Sequence, residues 1–204
     1  VGSFKLKGSC LAPFIAMEDK SVDELKIYSV SDRYVDYLRQ YEPNVYSNKV
    51  LNRTHTRKYI GVVVKVEGYN YYIPMSSPKA TDYQVAGEQN VIKKSIVPII
   101  RIVVKNPEGN KELKATLRIS HMIPVPDSEL VIYDIEKEAD AKYKNLVKDE
   151  IIYIRKNTAK IISNANTMYK QKEVGDTSAG YVKRALNFKY LESLCDAFCE
   201  NTEK

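Results

Sequence analysis

The chain has 204 residues, 44% hydrophobic and 28% charged, which fits one ordinary globular domain and excludes a disordered or fibrous chain. Its net charge is +6, and three stretches (43–66, 89–107 and 151–172) carry cations and no acid, the footprint of a polyanion partner. No apolar run approaches a membrane span. The cysteines are Cys10, Cys195 and Cys199; an odd number points to a reducing, cytoplasmic setting, with Cys195 and Cys199 as small core residues. Residues 1–16 precede Met17 and read as a cloning remnant or an N-terminal extension, leaving one domain over 17–204. Tyr is abundant at 16 residues, against 4 Phe and no Trp, which suits half-wet surfaces and stacking on bases.

Leu25 to Val30 alternates apolar and polar residues, which predicts a strand. Ser31 is an N-cap with Asp32 in the first turn, so a helix follows to about Tyr41, and Pro43 ends it. Residues 44–56 have no period and are predicted as a loop. Tyr59–Glu67 and Tyr69–Met75 flank Glu67-Gly68 and predict a hairpin. Pro74 and Pro78 then bracket Met75, Ser76 and Ser77, so the strand stops at a stiff turn. Ile96–Val104 and Glu112–Ile119 predict a second hairpin, Ile123–Pro126 a linker, and Leu130–Ile135 a short strand. From Ala139, apolar residues recur at three and four as far as Tyr169, which predicts one long amphipathic helix. Gly175 and Asp176 break it, and Thr177 or Ser178 caps a last helix through Phe198. The fold class is α+β: a compact antiparallel sheet or barrel with a long helix and a C-terminal helix packed on it.

The chain has no Walker loop, no GxGxxG, no CxxC and no HExxH, and no carboxylates clustered with its two histidines, His55 and His121. Neither a metal nor a cofactor is expected. The densest polar cluster is the turn after the first hairpin, with Ser76, Ser77 and Lys79. Its Ser76-x-x-Lys79 spacing is that of penicillin-binding serine enzymes, but their other motifs are missing and this serine follows a strand. The loop before the hairpin and the turn after it are neighbours in space. Tyr46, Asn52, His55, Arg57, Ser76, Ser77 and Lys79 are therefore expected to converge. Such a set suits phosphate chemistry without a metal: cations stabilise the charge on a phosphorane, and hydroxyls orient the phosphate. RNA would supply its own 2′-hydroxyl as nucleophile. Further RNA contacts are expected from Arg33, Tyr34, Lys49, Arg53 and Lys58, and from Lys160, Lys170 and Lys172 on the long helix.

The run Ile60-Gly-Val-Val-Val-Lys-Val-Glu-Gly-Tyr-Asn-Tyr-Tyr-Ile-Pro-Met-Ser-Ser-Pro-Lys79 resembles the centre of the ToxN/AbiQ family of type III toxins. Lys26-Ile-Tyr-Ser-Val-Ser-Asp-Arg-Tyr-Val-Asp-Tyr-Leu38 resembles the family's opening strand and helix, and Leu117-Arg-Ile-Ser-His-Met-Ile-Pro-Val-Pro126 a later segment. The resemblance runs in order from about Leu25 to Phe198. It implies an endoribonuclease on a compact core similar to the MazF and Kid toxins. It implies that Ser77 is the family's central serine, with Ser76, Lys79, Arg57 and the loop residue Tyr46 beside it. His121 stands where relatives often carry Asn. The implied partner is a short repeated antitoxin RNA, pseudoknot-like, that blocks the groove in a closed RNA–protein assembly. The implied substrate is cellular or phage mRNA.

Three other readings compete. A non-catalytic RNA-binding module would bind without turnover. A DNA-binding regulator would need a helix-turn-helix or basic zipper signal, and none is visible. A serine–lysine hydrolase would leave the segregated cations without a purpose.

Overall fold

The computed structural model describes residues 25–49, 55–176 and 178–202. The expectations for residues 1–16, and for Asn52 and Arg53, lie outside them. The strands are β1 (Lys26–Val30), β2 (Lys58–Val66), β3 (Tyr69–Ser76), β4 (Tyr83–Ala86), β5 (Gln89–Ile92), β6 (Ile99–Lys105), β7 (Lys111–Arg118), β8 (Ile123–Pro124) and β9 (Leu130–Ile132). The helices are α1 (Asp32–Tyr41), α2 (Ala141–Lys156), α3 (Thr158–Glu173), α4 (Gly180–Lys183) and α5 (Phe188–Thr202).

The main sheet runs β6-β7-β3-β2-β1-β9, with β8 added on β3, and every pairing is antiparallel. It is open, with β6 and β9 at its edges, so of the expected sheet or barrel the sheet is what forms. The β2–β3 hairpin turns on Glu67 and Gly68, both at positive φ (50° and 91°), as a two-residue loop between right-twisting strands requires. Gly61 has a different purpose. A Cβ there would lie 2.0 Å from the Tyr72 ring, beside a register shift between Gly61 and Val64.

Tyrosines fill much of the core. Tyr34, Tyr59, Tyr71 and Tyr72 are each 2% exposed or less. Buried phenols need hydrogen-bond partners. Tyr34 donates to the Pro124 carbonyl (2.8 Å) and Tyr59 to Asn48 Oδ1 (3.2 Å). Tyr71 and Tyr169 both donate to Glu192 Oε1, at 2.7 Å each, which ties the sheet to α3 and α5. Cys195 is buried on α5 as a free thiol, as expected of a small core residue. Cys199 is also buried but forms a disulfide, so the expectation of a reduced core thiol does not hold for it.

Two helices depart from the expectation. The long helix is broken at Asn157, whose N–H bonds back only three residues, to Ile154. The Asn157 amide donates to Tyr153 O (2.8 Å), and the Thr158 hydroxyl to Ile154 O (3.1 Å). Such side-chain bonds to the backbone compete with the helix ladder. A break of one residue leaves the apolar period nearly in phase, which is why the pattern reads as continuous. The last helix is likewise split into α4 and α5, where Asn187 Oδ1 accepts from Tyr190 N (3.2 Å) as a cap. The β4–β5 hairpin, unanticipated in the sequence, closes on Gly87 at φ 63°. Leu130–Ile135 is strand only to Ile132, and the linker at Ile123 is a short strand on β3.

α2 packs on β6 and β7, while α3 packs on β2. The inner face of α2 therefore overlooks the end of β3, where the strand runs into the Ser76–Lys79 turn.

Candidate active site

The turn is held from behind by a buried ion cluster. Asp82 is 1% exposed and accepts from Arg101 Nη2 (3.0 Å) and Arg118 Nη2 (3.2 Å). It also accepts from the Lys79 backbone N–H (3.1 Å), which fixes the chain just past Pro78. Two guanidiniums on one carboxylate leave a net positive charge in this wall. Thr116 on β7 donates to the Ser76 carbonyl (3.3 Å) and holds the other end of the turn.

Arg57, at the entry of β2, reaches across to the exit of β3. Its Nη1 donates to the Met75 carbonyl (2.7 Å) and the Ser76 hydroxyl (2.9 Å), and its Nε to the Ser47 carbonyl (3.1 Å). The guanidinium lies 4.8 Å from the centre of the Tyr46 ring. Tyr46 in turn stacks on His121, with centroids 4.3 Å apart and planes 21° apart. Arg57 and Ser76 are buried, while Ser77 and Lys79 are exposed at the mouth of the turn. His121 comes from the single turn Ile119–His121 after β7 and contacts Ser120 Oγ through Nδ1 (3.0 Å). Burial, reinforced by Arg118, Arg57 and Lys79, pushes its imidazole down to about 4, so it is neutral at pH 7.

On the other side of the turn lies a cavity of about 280 Å³. Arg57, Lys58, Ser76 and Ser77 line one wall, and Tyr143, Leu146 and Glu150 of α2 the other. His55 stands at this cavity and stacks on Tyr143, 3.8 Å between centroids and 5° between planes. Its Nε2 is 3.5 Å from Asp140 Oδ2. The Lys58 ammonium donates to Ser29 Oγ (3.2 Å) and sits 4.3 Å from the centre of the Tyr133 ring; burial lowers its pKa.

The structure thus brings together Tyr46, Arg57, Ser76, Ser77 and Lys79, with His55 and Lys58 at the adjoining cavity. Tyr34, expected to contact RNA, does not reach the surface. It is fully buried, packed edge-on against Phe198 (4.9 Å), and has no face left for a base. It belongs to the apolar stripe Tyr34, Val35 and Leu38 of α1. Arg33 pairs with Glu129 and lies 5.2 Å from the centre of the Phe198 ring, so its partners are outside the cluster. Lys49 pairs with Asp36 (3.1 Å) and Asp32 (3.5 Å). Lys160 and Lys170 are exposed on α3, whereas Lys172 donates to the Val182 carbonyl (3.2 Å).

The sequence alone does not point to Asp82, to Glu150 or, as a member of the cluster, to His121. Among the described residues no group of three or more His, Cys, Asp or Glu side chains is placed to hold a metal ion. The centre is instead cationic, with Arg57, Lys79 and Arg118 around one hydroxyl-bearing turn. That donor set suits a bound anion.

The site is thus a cationic, hydroxyl-bearing turn on an open antiparallel sheet, overlooked by a helix. Residues 26–196 match the family model of the toxin ToxN of type III toxin–antitoxin systems, and the chain belongs to that family. It is 31% identical over 173 residues to the endoribonuclease AbiQ of Lactococcus lactis subsp. lactis, covering 83% of this chain and 86% of that one. It is 26% identical over 184 residues to the endoribonuclease ToxN of Bacillus thuringiensis subsp. kurstaki, covering 89% and 83%. Among solved structures, a type III toxin inhibited by a non-coding RNA pseudoknot superposes with TM-score 0.70 at 26% identity, covering 86% of this chain and 98% of that one.

Proposed function

We propose that the chain is a metal-independent, sequence-specific endoribonuclease and the toxin of a type III toxin–antitoxin pair. The observation that carries this reading is the junction of Arg57, Ser76, Tyr46 and His121 at the Ser76–Lys79 turn. In this reading the substrate's 2′-hydroxyl attacks the adjacent phosphorus. The O2′–P bond forms as the P–O5′ bond breaks, leaving a 2′,3′-cyclic phosphate and a 5′-hydroxyl. Arg57 and Lys79 stabilise the charge that builds on the phosphorane oxygens. Ser77, exposed on the turn, donates to a phosphate oxygen. Ser76 and the Met75 carbonyl aim the Arg57 guanidinium. The stacked Tyr46 and His121 offer ring surface to a base.

The inhibitor in this reading is a repeated antitoxin RNA in a closed RNA–protein assembly, folded like the pseudoknot that inhibits the solved relative. Exposed Lys160 and Lys170 supply phosphate contacts to it. The setting is the cytoplasm and the role is phage defence against cellular or phage mRNA, in line with the anti-phage relative AbiQ. The kinship of the sheet to the MazF and Kid toxins belongs to the same reading, and superposition on those toxins tests it.

An RNA oligonucleotide with one 2′-deoxy sugar at the cleaved position tests the chemistry. It should survive at that bond while its all-ribose twin is cut. Cleavage of both at equal rates would exclude attack by the 2′-hydroxyl.

A further inference from the structure

Glu150 is a carboxyl where the fold calls for a hydrocarbon. Tyr143, Leu146, Val147 and Glu150 recur at three and four on α2 and share its inner face. Val147 is fully buried and Glu150 is 6% exposed. Among the described residues the Glu150 carboxyl has no hydrogen-bond or ion-pair partner. Lys114, the nearby cation of the cavity wall, is taken by Glu112 (2.7 Å) and Asp149 (3.8 Å). Lys58 is taken by Ser29 and Thr56, and Arg57 by Ser47, Met75 and Ser76. The carboxyl is largely desolvated on the apolar face of α2, where a leucine would continue the core. The carboxyl lines the cavity beside Ser76 and Ser77.

The cavity has the features of a base site. Its volume of about 280 Å³ sits at the small end of ligand pockets and suits one base. The His55–Tyr143 stack supplies an aromatic wall, and bases add to such stacks. Arg57, Lys58 and Lys114 ring it with positive charge, where the phosphates beside that base must run.

We propose that this cavity is a nucleobase pocket, in which the Glu150 carboxyl reads the pairing edge of the base flanking the cleaved phosphodiester. The assignment rests on the ribonuclease reading above and adds a specificity-determining residue to it. Burial, with Asp149 adding to it, pushes the carboxyl up to about 8, so it is a neutral acid at pH 7. It then offers an O–H donor beside a carbonyl acceptor. That pair complements the adjacent acceptor and donor on the edge of an unstacked base. The base supplies the carboxyl with both a donor and an acceptor.

The test is digestion of a pool of short randomised RNAs by the wild type, Glu150→Gln, Glu150→Leu and Ser77→Ala, with the cut ends sequenced. Glutamine keeps a donor beside an acceptor, so Glu150→Gln should retain the wild-type base preference. Glu150→Leu should keep cutting with the same end chemistry but lose preference at one position next to the cut. Discrimination at that position should drop by roughly 10- to 100-fold, the span of one good bidentate pairing with a base. The melting temperature of Glu150→Leu should equal or exceed the wild type's, which confirms a folded protein. A folded Glu150→Leu that keeps every base preference, or that cuts nothing at all, overturns the pocket. Ser77→Ala cutting like the wild type overturns instead the ribonuclease centre beneath it, so the two failures are distinguishable.

Discussion

Arg57 and Ser76 are 19 positions apart in the chain, yet the Arg57 guanidinium donates to the Ser76 hydroxyl at 2.9 Å and to the carbonyl just before it at 2.7 Å. The β2–β3 hairpin makes this approach possible, because Tyr59 at the start of β2 pairs with Pro74 near the end of β3. The arginine that orders the turn is also a cation of the proposed centre. Arg57→Lys keeps the charge but loses the fork that serves three acceptors. Catalytic turnover should fall by about 100-fold or more, the usual effect of losing one aimed donor. Single-turnover cleavage with saturating protein reads this directly, and a rate within twofold of the wild type would mean the fork is only structural.

Asp82 holds Arg101, Arg118 and the Lys79 backbone together. Asp82→Asn leaves two buried guanidiniums without their counter-charge. The expected loss is about 3–5 kcal/mol of stability, as for breaking other buried pairs. Urea denaturation measures it. A loss below about 1 kcal/mol, the range of surface ion pairs, would show that the cluster is not the brace described.

His121 makes stability depend on pH. Its folded pKa of about 4 lies below the unfolded value of 6.5. Between those values the unfolded chain binds a proton that the folded chain refuses, so stability falls as the pH drops through this window. The full effect is at most about 3 kcal/mol and is reached below pH 4. His121→Asn should therefore lose less stability than the wild type between pH 7 and 4.5. Parallel slopes for the two proteins would contradict the neutral, buried imidazole.

Glu150 acts with the opposite sign. Its folded pKa of about 8 is above the unfolded 4.5, so the folded chain keeps a proton that the unfolded chain has released. Stability attributable to it falls as the pH rises from 4.5 to 8, by at most about 5 kcal/mol. Glu150→Gln removes that slope. Thermal melts at pH 6 and pH 9 should show the variant gaining on the wild type at the higher pH.

Lys160 and Lys170 are exposed on α3 and are the proposed phosphate contacts to the antitoxin RNA. Reversing both to Glu should weaken antitoxin RNA binding and flatten its dependence on salt. The log–log slope should shrink by about one unit for each phosphate that is no longer neutralised. An unchanged slope would place the RNA on another face.

The turn and its arginine are legible in the sequence because their signals are local: two prolines around two serines, and a basic residue at the foot of a hairpin. The core of the sheet follows from alternation and two hairpin turns. Tyr34 misleads although it lies on the very stripe, with Val35 and Leu38, that marks the buried side of α1; tyrosine's polar tip suggests a surface role that its Pro124 partner satisfies internally. His121 escapes a sequence reading because it arrives through the β3–β7 pairing, which joins Met75 to Leu117 across a long stretch of chain. Asp82 carries a faint signal, a lone acid three residues past Lys79. Glu150 carries a stronger one, a charge on the apolar face of an amphipathic helix, and such a residue marks a helix side that faces something other than core.

In the proposed function the Ser76–Lys79 turn and Arg57 cleave RNA without a metal. Total RNA incubated with the purified protein in EDTA, with every cut end mapped, tests it most directly. Cuts at a short motif, with 2′,3′-cyclic phosphate and 5′-hydroxyl ends, are expected, and all of them should be lost in Ser77→Ala. Cleavage that needs a divalent ion, or that leaves 3′-hydroxyl ends, would contradict it.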